Sequence, residues 1–309
     1  MQSYLILGAT LICSGVPPWS PPSRRAREKE RAPTEGRPCK LGHHSIRSAL
    51  LILICTFLLS VTCQAQLPFY TDDTDTTPKG KFHLEVYDEH DLLQREAYPT
   101  KRQNTLVFTL NYGITDKLEL DVNAPIITFS NSRIVERRNP SGIGDTQFGL
   151  KYNFLSESEG SKVPALAVVF YIEAPTGNSK EAFGSGLTDY WLYGIVQKSI
   201  TKKTKGRLNG GILFSGNDST GLIGINSQRG QVYTGNGSVV HNFSSRLKLG
   251  VELFGAVTNN FQLDRGQLTT QFGGDYMLTK KLTLSFALLG GAYVASPRLG
   301  THLGFAYDF

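Results

Sequence analysis

Leu106-Val-Phe-Thr-Leu-Asn-Tyr-Gly-Ile-Thr-Asp-Lys-Leu-Glu-Leu-Asp-Val-Asn-Ala124 is the stretch on which the fold is decided. Leu106, Phe108, Leu110 and Tyr112 alternate with Val107, Thr109 and Asn111. Beyond Gly113–Asp116, Leu118, Leu120, Val122 and Ala124 alternate with Glu119, Asp121 and Asn123. Successive side chains of a strand point to opposite faces, so a period of two marks two strands, each with an apolar and a more polar face. The four residues between them form a tight turn.

The pattern recurs outward from this hairpin. Phe82-Leu84-Val86, Phe148-Leu150-Tyr152-Phe154, Leu247-Leu249-Val251-Leu253, Leu282-Leu284-Phe286-Leu288 and Leu303-Phe305-Tyr307-Phe309 all alternate with other residues, and no capped 3.6-residue period competes with them. Twelve segments emerge, near 80–89, 103–113, 117–128, 142–154, 163–175, 185–198, 206–217, 231–242, 246–257, 267–278, 281–292 and 299–309. Most are about twice the usual globular strand of roughly 5–6 residues. They match the roughly 9–11 residues that a tilted strand needs to cross a bilayer. Tight turns at 113–116, 243–245 and 279–280 alternate with longer loops, as in outer-membrane barrels. The expected fold is all-β: a closed antiparallel transmembrane β-barrel of about twelve strands over residues 80–309, in the bacterial outer membrane. Its partners are then outer-membrane lipid and the barrel-assembly machinery.

Composition narrows the function. The 309 residues are 40% hydrophobic and 19% charged, with a net charge of +6. Residues 1–65 carry eight Lys or Arg against three acids, so the remainder is almost neutral and a nucleic-acid footprint is absent. All four cysteines precede residue 66, which excludes a disulfide framework and Cys-rich zinc sites after it. Ala49–Val61 is an apolar run between Arg47 and Thr62-Cys-Gln-Ala65, the pattern of a secretory signal peptide cut after Ala65. A lipoprotein reading at Cys63 fits less well. Residues 1–45 read as a Pro- and Arg-rich leader that is disordered or non-native, with translation starting near Leu41 or Ile46. The signal then spans 46–65, and 66–79 forms an N-terminal periplasmic segment.

With the apolar face turned to lipid, the lumen receives His83, Glu85, Glu119, Asp121, Asp145, Lys151, Glu173, Glu252, Asp275 and His302. Two readings stay open: a cation-favouring constriction, or a hydrogen-bonded charge network that merely keeps the interior polar. Tyr87 and Tyr293 are expected to narrow the bore. A basic residue opens every second strand, at Lys81, Lys117, Lys162, Arg207, Arg246 and Lys281, and each is expected at the short-turn rim. The acidic, Pro-marked segment 66–80 is open to two readings: it folds back so that residues 67–76 partly plug the periplasmic end of the pore, or it is a disordered tail. In the first reading Phe69 and Tyr70 pack inside and the acids lie near the rim. Phe309 and Tyr307 form a terminal aromatic signal for assembly.

No catalytic site is expected. His241 and Asn242 are neighbours on a strand and face opposite ways, and no Gly-x-Ser-x-Gly elbow occurs. Gly142-x-Gly144 precedes a strand rather than a helix, against a dinucleotide loop. His83 and Glu85 share a face but lack a third metal ligand. No cofactor or metal is expected.

Gly142-Ile-Gly-Asp-Thr-Gln-Phe-Gly-Leu-Lys-Tyr152, Tyr112-Gly-Ile-Thr-Asp-Lys-Leu-Glu-Leu120, Ala174-Pro-Thr-Gly177 and Gly184-Ser-Gly-Leu-Thr-Asp189 resemble segments of an outer-membrane barrel family labelled "meta-pathway of phenol degradation". The resemblance covers roughly residues 67–309. It implies a channel or transporter for small, aromatic or hydrophobic solutes. The alternatives are a sealed structural or adhesive barrel and, more remotely, a barrel-embedded lipid enzyme.

Overall fold

A computed structural model describes residues 67–97, 99–133, 138–216, 229–258 and 266–309. The leader and signal segments lie outside these residues. Thirteen strands are present among them. They are β1 (Phe82–Leu93), β2 (Arg102–Thr115), β3 (Leu118–Ser130), β4 (Ser141–Ile143), β5 (Thr146–Leu155), β6 (Ala165–Ala174) and β7 (Asp189–Ser199). After these come β8 (Thr204–Gly216), β9 (Arg229–Asn242), β10 (Leu247–Thr258), β11 (Gln267–Met277), β12 (Leu282–Ala292) and β13 (Pro297–Asp308).

Except between β4 and β5, each strand pairs antiparallel with its neighbours in sequence, and β1 pairs with β13 through His83–Asp308 to Leu93–Pro297, closing the ring. β4 and β5 share one place beside β3, against Ile126–Thr128 and Leu118–Asn123 respectively. The wall is therefore a closed antiparallel barrel of twelve staves, and the all-β expectation holds. Closure leaves no sheet edge, which is the condition for a β-structure in a medium without hydrogen-bonding solvent.

The two faces are inverted relative to a water-soluble fold. On β5, Phe148 and Leu150 are 47% and 44% exposed on the outside, whereas Gln147 and Lys151 are 3% and 1% exposed within. The same holds on β10, where Val251 and Leu253 face out and Glu252 is buried. An apolar band outside and polar side chains inside suit a hydrocarbon exterior and a hydrated interior.

Three local expectations are corrected. The segment 142–154 is not one continuous strand but breaks at Gly144-Asp145. Opposite the break stands Pro125, which has no N–H to give the ladder, and Gly144 N–H instead donates to Pro125 O at 2.9 Å. Tyr293 does not narrow the bore: it sits in the turn after β12 at φ 72° and is 39% exposed. Arg207 is not a rim cation. β8 begins at Thr204, three residues earlier than Arg207, which carries the side chain inside the wall, where it is buried.

At the long-loop rim, the connection between β6 and β7 folds inward. Its Phe183 packs on Phe129 (ring centroids 5.2 Å apart) beside Ile127 and Ala182. Gly142 makes room for that ring, since a Cβ there would lie 2.6 Å from Phe183 Cδ2. The first glycine of the pair noted in the sequence thus serves packing at a strand entrance.

Candidate functional site: the lumen

The inward residues of the staves meet an irregular segment, residues 67–80, that runs down the interior before β1 begins. Leu67 N–H donates to Glu85 Oε1 at 3.4 Å, and Gln271 donates to Pro68 O. Phe69 is buried, and Tyr70 packs on Phe254 at 4.8 Å while its hydroxyl donates to Glu89. Glu252, 1% exposed, takes three donors from the segment. It accepts Tyr70 N–H at 2.9 Å, Thr71 N–H at 2.8 Å and Thr71 Oγ1–H at 2.9 Å.

Below this point the segment meets cations and amides of the wall. Asp72 pairs with Lys151 (3.3 Å), which also pairs with Glu119 (3.1 Å), and it accepts from Tyr193 Oη–H at 3.0 Å. Asp73 pairs with Arg207 at 2.9 Å and Asp75 with Lys205 at 3.3 Å. Asn153 donates to Thr74 O, and Gln197 to Thr74 Oγ1. At the exit, Lys79 pairs in parallel with Gly113, and Gly80 N–H donates to Gly113 O at 2.7 Å. Only glycine allows this approach, because a Cβ on Gly113 would stand 2.2 Å from Thr77 O. Burial raises the Asp72 carboxyl above its ordinary range, with Lys151 opposing. Burial acts on Asp73 as well, but Arg207 and Lys151 beside it win and hold it below that range.

Of the acids expected near the rim, Asp75 lies about a third exposed beside Lys205 near the start of β8, whereas Asp73 is corrected: it is 3% exposed among wall cations. The reason is electrostatic. A buried carboxylate persists where a guanidinium or ammonium meets it, and β5 and β8 present such groups inward.

The inward residues read from the sequence are all buried, but they do not form one ring. His83 bridges the closing seam near the short-turn rim, Nδ1 to Asp308 at 2.6 Å and Nε2 to Glu85 at 3.1 Å. Both ring nitrogens are thus engaged, and the described residues contain no cluster of three or more groups suited to a metal. Asp121 accepts from Tyr171 Oη–H at 3.3 Å and Glu173 from Gln147 at 2.6 Å. Asp275 accepts from Ser285 at 2.7 Å. His302 stacks on Tyr87 at 4.5 Å. Asp145 stands apart at the long-loop rim, where it accepts Gly177 N–H at 2.9 Å and Ser185 N–H at 2.7 Å and fastens the inward loop. Tyr307 and Phe309 lie on the outside, edge to face at 4.9 Å.

A cavity of about 100 Å³ remains beside the segment, lined by Phe69, Tyr70, Tyr87, Tyr171, Trp191 and Tyr193 among others. Trp191 packs on Tyr193 at 4.6 Å. The sequence family described as "Putative MetA-pathway of phenol degradation" matches residues 69–309. The chain belongs to that family. The match begins at Phe69 and so takes in the lumen segment together with the wall. Among solved structures, the chain is similar to the COG4313 outer membrane channel from Pseudomonas putida F1, at 19% identity and a TM-score of 0.59, covering 77% of this chain and 98% of that one. It is also similar to the KdgM porin, at 13% identity and a TM-score of 0.48, covering 74% and 99%. No curated protein matches.

Sequence reasoning missed the partners of the segment: Asn153, Gln197, Arg207 and Gln271. One signal was available. Asp73 and Asp75 are spaced as Arg207 and Lys205 are, two apart, which for a strand means one shared face.

Proposed function

We propose that this member of the family is an outer-membrane channel for small solutes, and that residues 67–80 are its plug. The observation that carries the reading is the lumen segment: an irregular stretch of chain bonded to most sides of a closed barrel that is polar within and apolar without. Twelve staves enclose more width than eight, whose interior side chains fill, and less than the open bore of a 16-stranded porin. A single strip of backbone is enough to occupy such a lumen. The aromatic cavity favours solutes with a flat apolar part, since aromatic walls gain from offset or edge-on ring contacts. On this reading the signal peptide is removed after Ala65 and the short-turn rim faces the periplasm. The protein acts without a catalytic centre or cofactor.

Deleting residues 67–76 tests it. Single-channel current through the purified barrel is expected to rise several-fold, and liposomes carrying the variant should swell faster in small solutes. Unchanged conductance in a folded barrel would show that these residues are not a plug. Absence of conductance in both forms would favour a sealed structural barrel.

A further inference from the structure

We propose that Arg207 is a receptor for small organic carboxylates, held in the resting barrel by the plug's own Asp73. The proposal rests on the channel reading above and names the solute class and the means of its release. Arg207 and Asp73 are 5% and 4% exposed and 2.9 Å apart. The guanidinium also has a partner on the wall, because its Nε–H donates to Gln197 Oε1 on β7 at 3.0 Å. A planar fork fixed in this way is prepared for a carboxylate.

The wall cations differ in what they keep when the plug leaves. Lys151 retains Glu119 at 3.1 Å. Arg207 retains the Gln197 amide, and its inward neighbour on β8, Lys205, is a second cation that pairs with Asp75. Glu252 acts on Arg207 only from beyond contact distance, and a buried guanidinium whose paired anion leaves is costly, so an incoming carboxylate gains more at Arg207 than at Lys205, which is 39% exposed. The short-turn rim is also cationic in part. A cavity of about 450 Å³ near the short-turn rim is lined by Lys203, Arg246 and Lys248 together with Asp275. Cations in a cleft raise the local concentration of anions.

Exchange is feasible because the plug has neither helix nor strand over 67–80 and is held largely by hydrogen bonds and ion pairs. Each is worth little net, since the freed groups find other partners. A solute carboxylate replaces Asp73 bond for bond. Asp73 is tethered, and a short tether gives an effective concentration on the order of millimolar, so millimolar solute is needed to compete.

The test is single-channel current of the purified protein in planar bilayers at constant ionic strength. Part of the chloride is replaced by acetate, succinate or benzoate, and benzyl alcohol serves as the neutral counterpart of benzoate. The carboxylates are expected to lengthen a high-conductance state with millimolar midpoints, and benzyl alcohol to leave it unchanged. Asp73→Asn should populate that state with no added carboxylate. Arg207→Gln should populate it and lose the response, and Arg207→Lys should respond with a midpoint raised about tenfold, as expected for a lost charge-assisted hydrogen bond. No response to any of the three carboxylates, an equal response to benzyl alcohol, or a full response in a folded Arg207→Gln barrel overturns the proposal. If the 67–76 deletion conducts while the wild type ignores carboxylates, the carboxylate receptor fails and the channel reading stands. If the deletion does not conduct, the channel reading itself fails.

Discussion

Replacing Glu252 with alanine is expected to unseat the lumen segment while leaving the barrel wall intact. Glu252 accepts three donors from Tyr70 and Thr71 and is 1% exposed. Its loss strands two backbone N–H groups and a hydroxyl, at a cost on the order of 3 kcal/mol, or about a hundredfold in the ratio of seated to released segment. Conductance of the variant should approach that of the 67–76 deletion. Glu252→Gln keeps one carbonyl oxygen as an acceptor and should fall between the two. Wild-type current in Glu252→Ala would show that the segment is held without this anchor.

Leu253→Arg, one residue along the same strand, should do the reverse. Leu253 is 51% exposed on the outer face near the middle of β10. A cation at the midplane of a barrel's lipid face destabilises it by about 2–4 kcal/mol. Urea unfolding in lipid vesicles should show a loss of that size, whereas Leu253→Ala should show less. Where Leu253→Arg remains folded, its conductance should be that of the wild type. Equal stability of Leu253→Arg and the wild type would place this face away from hydrocarbon. The contrast between adjacent residues follows from the period of a strand, which sends one side chain to the lumen and the next to lipid.

That period is why most of the wall was legible in the sequence. Leu118, Leu120 and Val122 against Glu119 and Asp121 fix both the strand and its faces, because a slip of one residue would exchange them. The break at Gly144-Asp145 was not legible, since alternation continues across it. It arises from Pro125 on the facing strand and from Phe183 in a distant loop, both tertiary effects. Arg207 was misread for a related reason: Arg207 and Leu208 look alike whether the strand begins at 204 or at 207, and only pairing with the neighbours decides. The polar, Pro-marked composition of 66–80 excluded a strand, and the aromatic pair at 69–70 marked its buried end. Its depth and its partners could not be read, because an irregular segment has no period and its bonds go to residues that are between 18 and 203 positions away.

A seated plug requires Thr71 to be sealed inside the barrel. Thr71 is 0% exposed and is held by Glu252. The chain has no cysteine after residue 63, so a Thr71→Cys variant with the four native cysteines changed to serine carries a single thiol. The rate at which a water-soluble maleimide labels that thiol in the folded barrel is the direct measurement. Protection of at least about a hundredfold relative to the unfolded chain is predicted, falling to near the unfolded rate when Glu252→Ala is added. Labelling of the Thr71→Cys thiol in the intact barrel as fast as in the unfolded chain would contradict a segment seated in the lumen.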